Sequence, residues 1–225
     1  MTRLTIILLA AVAALAGDLE KARDAQDRAA LDRFVAQYTS AASKQSGDAQ
    51  AQYLVALASS YAAEVATELG DKNKARAAAE AGIAAAQRAV SAKGSSAEYH
   101  RILGTLCGQV IPANVLAGLK WGACARDEVN KAVELDPKAA MNYVSRGVGN
   151  YYLPPAFGGS VDSAIRDFQR AIELNPKLPE AHQWLGIALR KAGRNVEARK
   201  ALERAVALNP ARTWTAQQLA KTPAK

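Results

Sequence analysis

The clearest hydrophobic pattern lies near the C-terminus, where Ala181, Leu185, Ala188 and Leu189 fall on one face of a 3.6-residue period. Gly193 interrupts the run, and a second helical stripe follows at Ala198, Ala201, Leu202, Ala205, Val206 and Leu208, ended by Pro210. The pattern predicts two antiparallel helices joined by a tight turn, and it recurs upstream. Ala164, Phe168, Ala171, Leu174, Asn175 and Pro176 stand 34 residues before Ala198, Leu202, Ala205, Leu208, Asn209 and Pro210. Ala125, Val129, Ala132, Leu135, Asp136 and Pro137 precede that set by 39. A fixed period of this size belongs to stacked helical hairpins, because no single hairpin can bury its apolar face alone.

Extended along the chain, the periodicity predicts hairpins at about 49–93, 95–137, 139–176 and 178–210, with a closing helix over 211–220 that seats Trp214 and Leu219. The first helices of the last three hairpins carry Leu103-Gly104, Arg146-Gly147 and Leu185-Gly186, where a glycine admits a close neighbour. Upstream, Asp18 to about Ser43 reads as one long amphipathic helix without a pair, the main part of an N-terminal segment 17–48. Asp48 is placed to cap the helix that follows. Two stretches depart from the repeat. Gln109–Gly122 is an enlarged connection with room for a short helix around Ala113 to Lys120. Leu153-Pro154-Pro155-Ala156-Phe157-Gly158-Gly159 is a lengthened turn in which two prolines end one helix and Ser160 or Asp162 can start the next.

At Leu185-Gly186, Ala198, Leu202, Ala205 and Pro210 the chain resembles the tetratricopeptide repeat (TPR) family. The resemblance implies an all-α fold: a TPR-like right-handed α-solenoid of about four antiparallel hairpins with flanking capping helices. It also implies a concave groove lined by the first helix of each hairpin. The groove-facing positions would be Glu98 and Arg101 in one hairpin, and Met141, Val144, Val148, Tyr151 and Tyr152 in the next. The last hairpin would contribute Glu180, Gln183, Ile187 and Arg190. The middle set is more apolar than a solvated face, so it reads either as the groove's binding centre or as a surface covered by the insertions. A groove with an apolar centre and polar ends suits a peptide or protein partner, in an interaction or envelope-assembly scaffold. The alternative is a small lipophilic ligand, as in TPR proteins associated with solute transporters.

Composition narrows these readings. Half of the 225 residues are apolar, which suits one solenoid. The net charge of +8 is dispersed along helices among Asp and Glu, so it reads as a solvated basic surface, and no nucleic-acid-binding signature accompanies it. Residues 1–16 place Arg3 before an apolar run ending Ala14-Leu15-Ala16. That is the form of a cleavable signal peptide, with an uncleaved anchor as the alternative. The run is too short for a stable membrane span. The expectation is an exported, periplasmic protein. Cys107 and Cys124 flank the enlarged connection; they are either a disulfide suited to export or two buried thiols. His100 and His182 hold equivalent places in two hairpins and read as packing residues, so neither a metal nor a cofactor is expected. No nucleophile elbow, zinc-protease or phosphate-loop motif is present, and the chain does not read as an enzyme.

Overall fold

The computed structural model describes residues 17–111, 115–155 and 159–224. The regular elements among them are all helices. They are α1 (17–24), α2 (Arg28–Ser43), α3 (Ala49–Glu68), α4 (Lys72–Ala92), α5 (Ala97–Val110), α6 (Val115–Leu135), α7 (Ala140–Tyr152), α8 (Val161–Leu174), α9 (Pro179–Lys191), α10 (Asn195–Leu208) and α11 (Thr213–Ala220). Successive helices pack in antiparallel pairs, and each pair leans on the next to form a solenoid closed by α11.

The N-terminal region differs from the single helix its periodicity predicts. The chain turns at residues 25–27, where Gln26 takes a left-handed backbone with φ 55° and the Asp27 N–H reaches the Ala22 carbonyl at 2.8 Å. The Asp27 carboxylate then caps α2 by accepting from Ala30 N at 2.9 Å. A cleft bordered by Asp18 and Ala22 on one side and by Ala30, Phe34 and Gln37 on the other shows that α1 runs back along α2. The described residues therefore hold five pairs where about four were expected. The turn escaped sequence reading because apolar positions on both sides of it stay in phase with one continuous helix.

The enlarged connection also resolves differently. α6 is 21 residues long and begins at Val115, so the segment read as a separate short helix is the start of the hairpin's second helix. Residues 112–114 lie outside the described residues, as does Phe157 of the proline-rich turn. Cys107 and Cys124 are joined in a disulfide with Cα atoms 6.0 Å apart, tying α5 to the extended part of α6. A loop of 17 residues closed this way stabilises the fold by about 3 kcal/mol in the chain-entropy account. At the other irregular turn, a Cβ on Gly159 would sit 1.7 Å from the Leu153 carbonyl oxygen, so the reversal into α8 depends on the glycine. Ser160 then caps α8 through a 3.2 Å bond from Ser163 N.

The buried apolar residues form two contiguous cores. One joins Leu19, Leu31, Val65, Ile83, Ile102 and Leu106 across the first three pairs. The other joins Val144, Ile165, Phe168, Ala188 and Leu189 across the fourth and fifth. At the junction Val133 of α6 packs on the second core, and polar contacts are added. Asn142, 1% exposed, donates to the carbonyls of Ala132 (2.9 Å) and Asp136 (3.0 Å), while Ser145 meets Arg101 and Thr105 at 3.3 Å each. Within pairs, helices approach over glycine: a Cβ at Gly147 would fall 2.5 Å from the Phe168 ring, which is wholly buried. Gly147→Ala is therefore expected to lower stability by about 1–3 kcal/mol, because the ring has no free volume to move into. A chemical-denaturation midpoint equal to that of the unsubstituted chain would contradict this packing.

Candidate functional site on the concave face

Helices α3, α5, α7 and α9 contact one another in sequence and line the inner side of the solenoid. Three chemically distinct zones follow one another along it. The first is a polar strip. Glu98 accepts from the Tyr53 hydroxyl (2.7 Å) and from Arg101 Nε and Nη2 (2.7 and 2.5 Å). Arg101 also reaches Ser145. Burial alone would raise the Glu98 carboxyl, but the Arg101 charge and the Arg101 and Tyr53 hydrogen bonds outweigh it and hold the group below its ordinary range. Glu98 and Arg101, both expected in the groove, thus answer each other and present little net charge.

The second zone is aromatic. Tyr151 and Tyr152 end α7 with ring centroids 5.0 Å apart, and both pack edge-on against Trp184 of α9, at 5.9 and 6.0 Å. Trp184 lies 5.4 Å from Trp214 of α11 and stacks on Phe168 at 6.3 Å. Lys191 places its ammonium 4.1 Å above the Tyr151 ring and donates to the Tyr151 carbonyl at 2.9 Å. Tyr152 is 52% exposed. Its phenol is nonetheless pushed up to about 12, first by desolvation and then by the Tyr151 hydroxyl and the Glu64 and Glu68 carboxylates across the groove.

The third zone closes the solenoid on itself. Arg212, at the start of α11 and 4% exposed, donates to Glu64 (2.9 Å), to both oxygens of Glu68 and to the Arg23 carbonyl (3.2 Å). Arg23 bonds Asp24 through Nε and Nη2 (2.9 and 2.8 Å), reaches Glu180 at 3.1 Å and lies 4.8 Å from the centre of the Tyr61 ring. Asn209 donates to Asp24 at 2.7 Å, and Gln26 to Glu68 at 2.9 Å. Residues from the two ends of the chain so form one buried network. Its carboxylates, Asp24, Glu64, Glu68 and Glu180, outnumber its guanidiniums, Arg23 and Arg212. The Glu68 carboxyl is accordingly raised to about 7, by burial first and the adjacent Glu64 second, against the opposing pull of Arg212.

The remaining expected groove residues are mostly engaged. Val144 is buried in the second core, and Met141, Val148 and Tyr151 pack against it, because the apolar stripe of α7 faces its neighbouring helices. Gln183 and Ile187 are buried, and the Thr215 hydroxyl of α11 bonds the Gln183 side chain. Arg190 donates to the Gln218 carbonyl (3.0 Å), the Gln218 side chain (2.7 Å) and Thr222 (3.1 Å), so α11 and the residues after it occupy that part of the face. Glu180 is held by Arg23. Residues that periodicity did not single out, Arg23, Glu64, Glu68, Trp184 and Arg212, carry much of the site. The spacing of Glu64 and Glu68 on one helix face was readable, whereas Arg212 sits beyond the last repeat, where no pattern assigns a direction.

The histidines bond the turns that precede their helices: His100 to the Gly94 carbonyl (2.9 Å), and His182 to the Pro176 carbonyl (3.0 Å). His100 also meets Glu128 at 2.5 Å. Among the described residues no group of three or more His, Cys, Asp or Glu side chains is arranged to hold a metal ion, and no helix is long and apolar enough to cross a membrane.

The raised Glu68 carboxyl has a definite consequence. The folded chain keeps this proton up to about pH 7, whereas the unfolded chain releases it near the ordinary value of 4.5. Stability from this group is therefore full below the unfolded value and is lost as pH rises toward 7. Glu68→Gln is expected to flatten the decline in unfolding free energy between about pH 5 and pH 7.5, by an amount of order 1–3 kcal/mol, read from denaturant titrations at each pH. Parallel pH profiles for the two chains would show the carboxyl to be ordinary.

Comparison with known proteins agrees with this architecture. The profile of the family described as "Regulator of microtubule dynamics protein 1-3" matches residues 16–153, and a tetratricopeptide repeat profile matches residues 159–220. The "Small glutamine-rich tetratricopeptide repeat-containing protein 2" of Mycosarcoma maydis is 33% identical over 90 residues, which are 40% of this chain and 24% of that protein. Among solved structures, a thermophilic TPR protein of Thermus thermophilus superposes with a TM-score of 0.63 at 19% identity, covering 90% of this chain and 96% of that one. YrrB, described as a TPR protein with an unusual peptide-binding site, gives 0.44 at 20% identity over 84% of this chain and 82% of its own. With one profile spanning more than half of its length and the other the remaining repeats, the chain belongs to the regulator of microtubule dynamics protein 1-3 family and is a tetratricopeptide repeat protein.

Proposed function

We propose that this chain is an exported scaffold that receives a segment of a partner protein at the aromatic corner of its concave face. A TPR fold supports protein–protein interaction in general. The observation that carries the specific reading is Tyr152, an aromatic side chain 52% exposed within an otherwise packed cluster. An exposed ring packed on apolar neighbours, near a closure whose four carboxylates outnumber its two guanidiniums, suits an aromatic or aliphatic anchor followed by an Arg or Lys. Envelope assembly is the class of role such a scaffold fits.

Export is supported by the leader-like pattern of residues 1–16 and by the disulfide, a bond that persists in oxidising compartments. These features favour a partner outside the cytosol over the microtubules named in the family's description. Cleavage after Ala16 leaves Gly17 as the first residue, a terminus that mass spectrometry of the protein recovered from its native cells reads directly. Retention of Met1 would overturn it.

A panel of synthetic peptides of about 12 residues, each pairing one aromatic residue with one arginine and followed by the fluorescence of Trp184 and Trp214, tests the groove. Tyr152→Ala is expected to weaken the best binder by about tenfold, the scale of an interface anchor. Replacing the peptide's arginine by glutamine is expected to weaken it again. Equal affinity for the substituted and unsubstituted chains would exclude the aromatic corner as the docking point.

A further inference from the structure

A second cleft lies on the opposite side of α7. Ser145, Val148 and Tyr152 share the inner face of this helix, and Tyr143, Arg146 and Asn150 fall about half a turn away at roughly 100° per residue. Together with Arg166, Asp167 and Arg170 of α8 they border an open cleft of about 390 Å³. Three guanidiniums and one carboxylate from two helices line it. That carboxylate, Asp167, is saturated: Arg146 reaches it through Nε (3.2 and 3.1 Å) and Nη2 (2.6 Å), and Asn150 adds a bond at 3.0 Å.

Arg166 and Arg170 are left without a buried counter-charge. Arg166 donates to the neutral Ser163 hydroxyl at 2.8 Å. Arg170 pairs with Glu173 at 2.8 Å, but both partners are about half exposed or more, and such a pair contributes little and exchanges readily. The Tyr143 ring lies beneath two of the guanidiniums, 5.2 Å from Arg146 and 6.0 Å from Arg170, and gives the cleft an aromatic floor.

We propose that this cleft binds an acidic peptide segment of a partner protein, with Arg166 and Arg170 each taking a carboxylate and Tyr143 supporting the chain between them. The two arginines are four residues apart on α8, which sets their stems roughly 5–6 Å apart, a spacing that neighbouring acidic side chains of one peptide can match. Paired N–H donors on a planar guanidinium suit carboxylates, and the charge of the lining is complementary to such a segment. The cleft is a pocket between two helices rather than a long basic track, which favours a short peptide over a nucleic-acid backbone. This surface is independent of the concave corner, so a partner carrying both a basic and an acidic stretch would engage the scaffold from two sides.

The test uses the full chain and a fluorescein-labelled octaglutamate peptide, followed by anisotropy at low salt. Octalysine, inorganic phosphate and a short single-stranded oligonucleotide serve as competitors. Arg166→Gln with Arg170→Gln is expected to weaken octaglutamate at least about tenfold, and Arg166→Lys with Arg170→Lys to restore part of that loss, since a point charge replaces the forked donor. Tyr152→Ala is expected to leave this binding unchanged, which separates it from the concave corner. Both arginines are on the surface, and circular dichroism confirms that the variants fold. Equal binding by the glutamine variant, loss of binding in Tyr152→Ala, or tighter arginine-dependent binding of phosphate or the oligonucleotide than of the peptide would each overturn the proposal.

Discussion

The solenoid depends on a single buried guanidinium. Arg212 is placed where the last turn of the superhelix comes round to the first, and it donates to two carboxylates of α3 and to the carbonyl of Arg23. Helical repeat proteins are otherwise held by contacts between neighbours, so their ends are free to open and close. Here an interaction across almost the whole sequence joins the ends, and Arg23, Asp24, Asn209 and Glu180 extend it. A buried cation of this kind is costly to desolvate, and losing one partner leaves the others uncompensated at several kcal/mol. The network therefore determines the shape of the groove more than it adds net stability.

Between the joined ends the buried apolar residues are not one continuous cluster. They fall into two clusters that meet near α6 and α7, where Asn142 and Ser145 add polar contacts to the packing of Val133. The disulfide strengthens the pair just before that boundary by fixing the overhanging start of α6 to α5.

Charge is distributed against the average. The chain is basic as a whole, yet its concave closure contains more carboxylates than guanidiniums. Net charge thus describes how the protein meets the solvent, while the buried closure carries the opposite sign. Beside that acidic zone the aromatic side chains of α7, α9 and α11 supply area at low entropic cost. Many of the positions that a repeat template assigns to the groove have instead been used to seat α11, which narrows the accessible part of the face to Tyr152 and its surroundings.

The sequence by itself determined all the helix pairs but the first, the last three with useful precision, because burial of one helix face imposes a 3.6-residue period and each tight pair needs a small residue such as Gly104, Gly147 or Gly186 at its crossing. It also placed the two cysteines on either side of the enlarged connection in one hairpin. It could not show that residues 25–27 reverse the chain, since a turn between two in-phase amphipathic stretches leaves the period undisturbed. Nor could it show that Arg212 meets Glu64 and Glu68, or that α11 covers Gln183 and Arg190. Those contacts depend on how a small rotation per repeat accumulates around the superhelix. That rotation is the sum of many side-chain packings, and no local pattern encodes it.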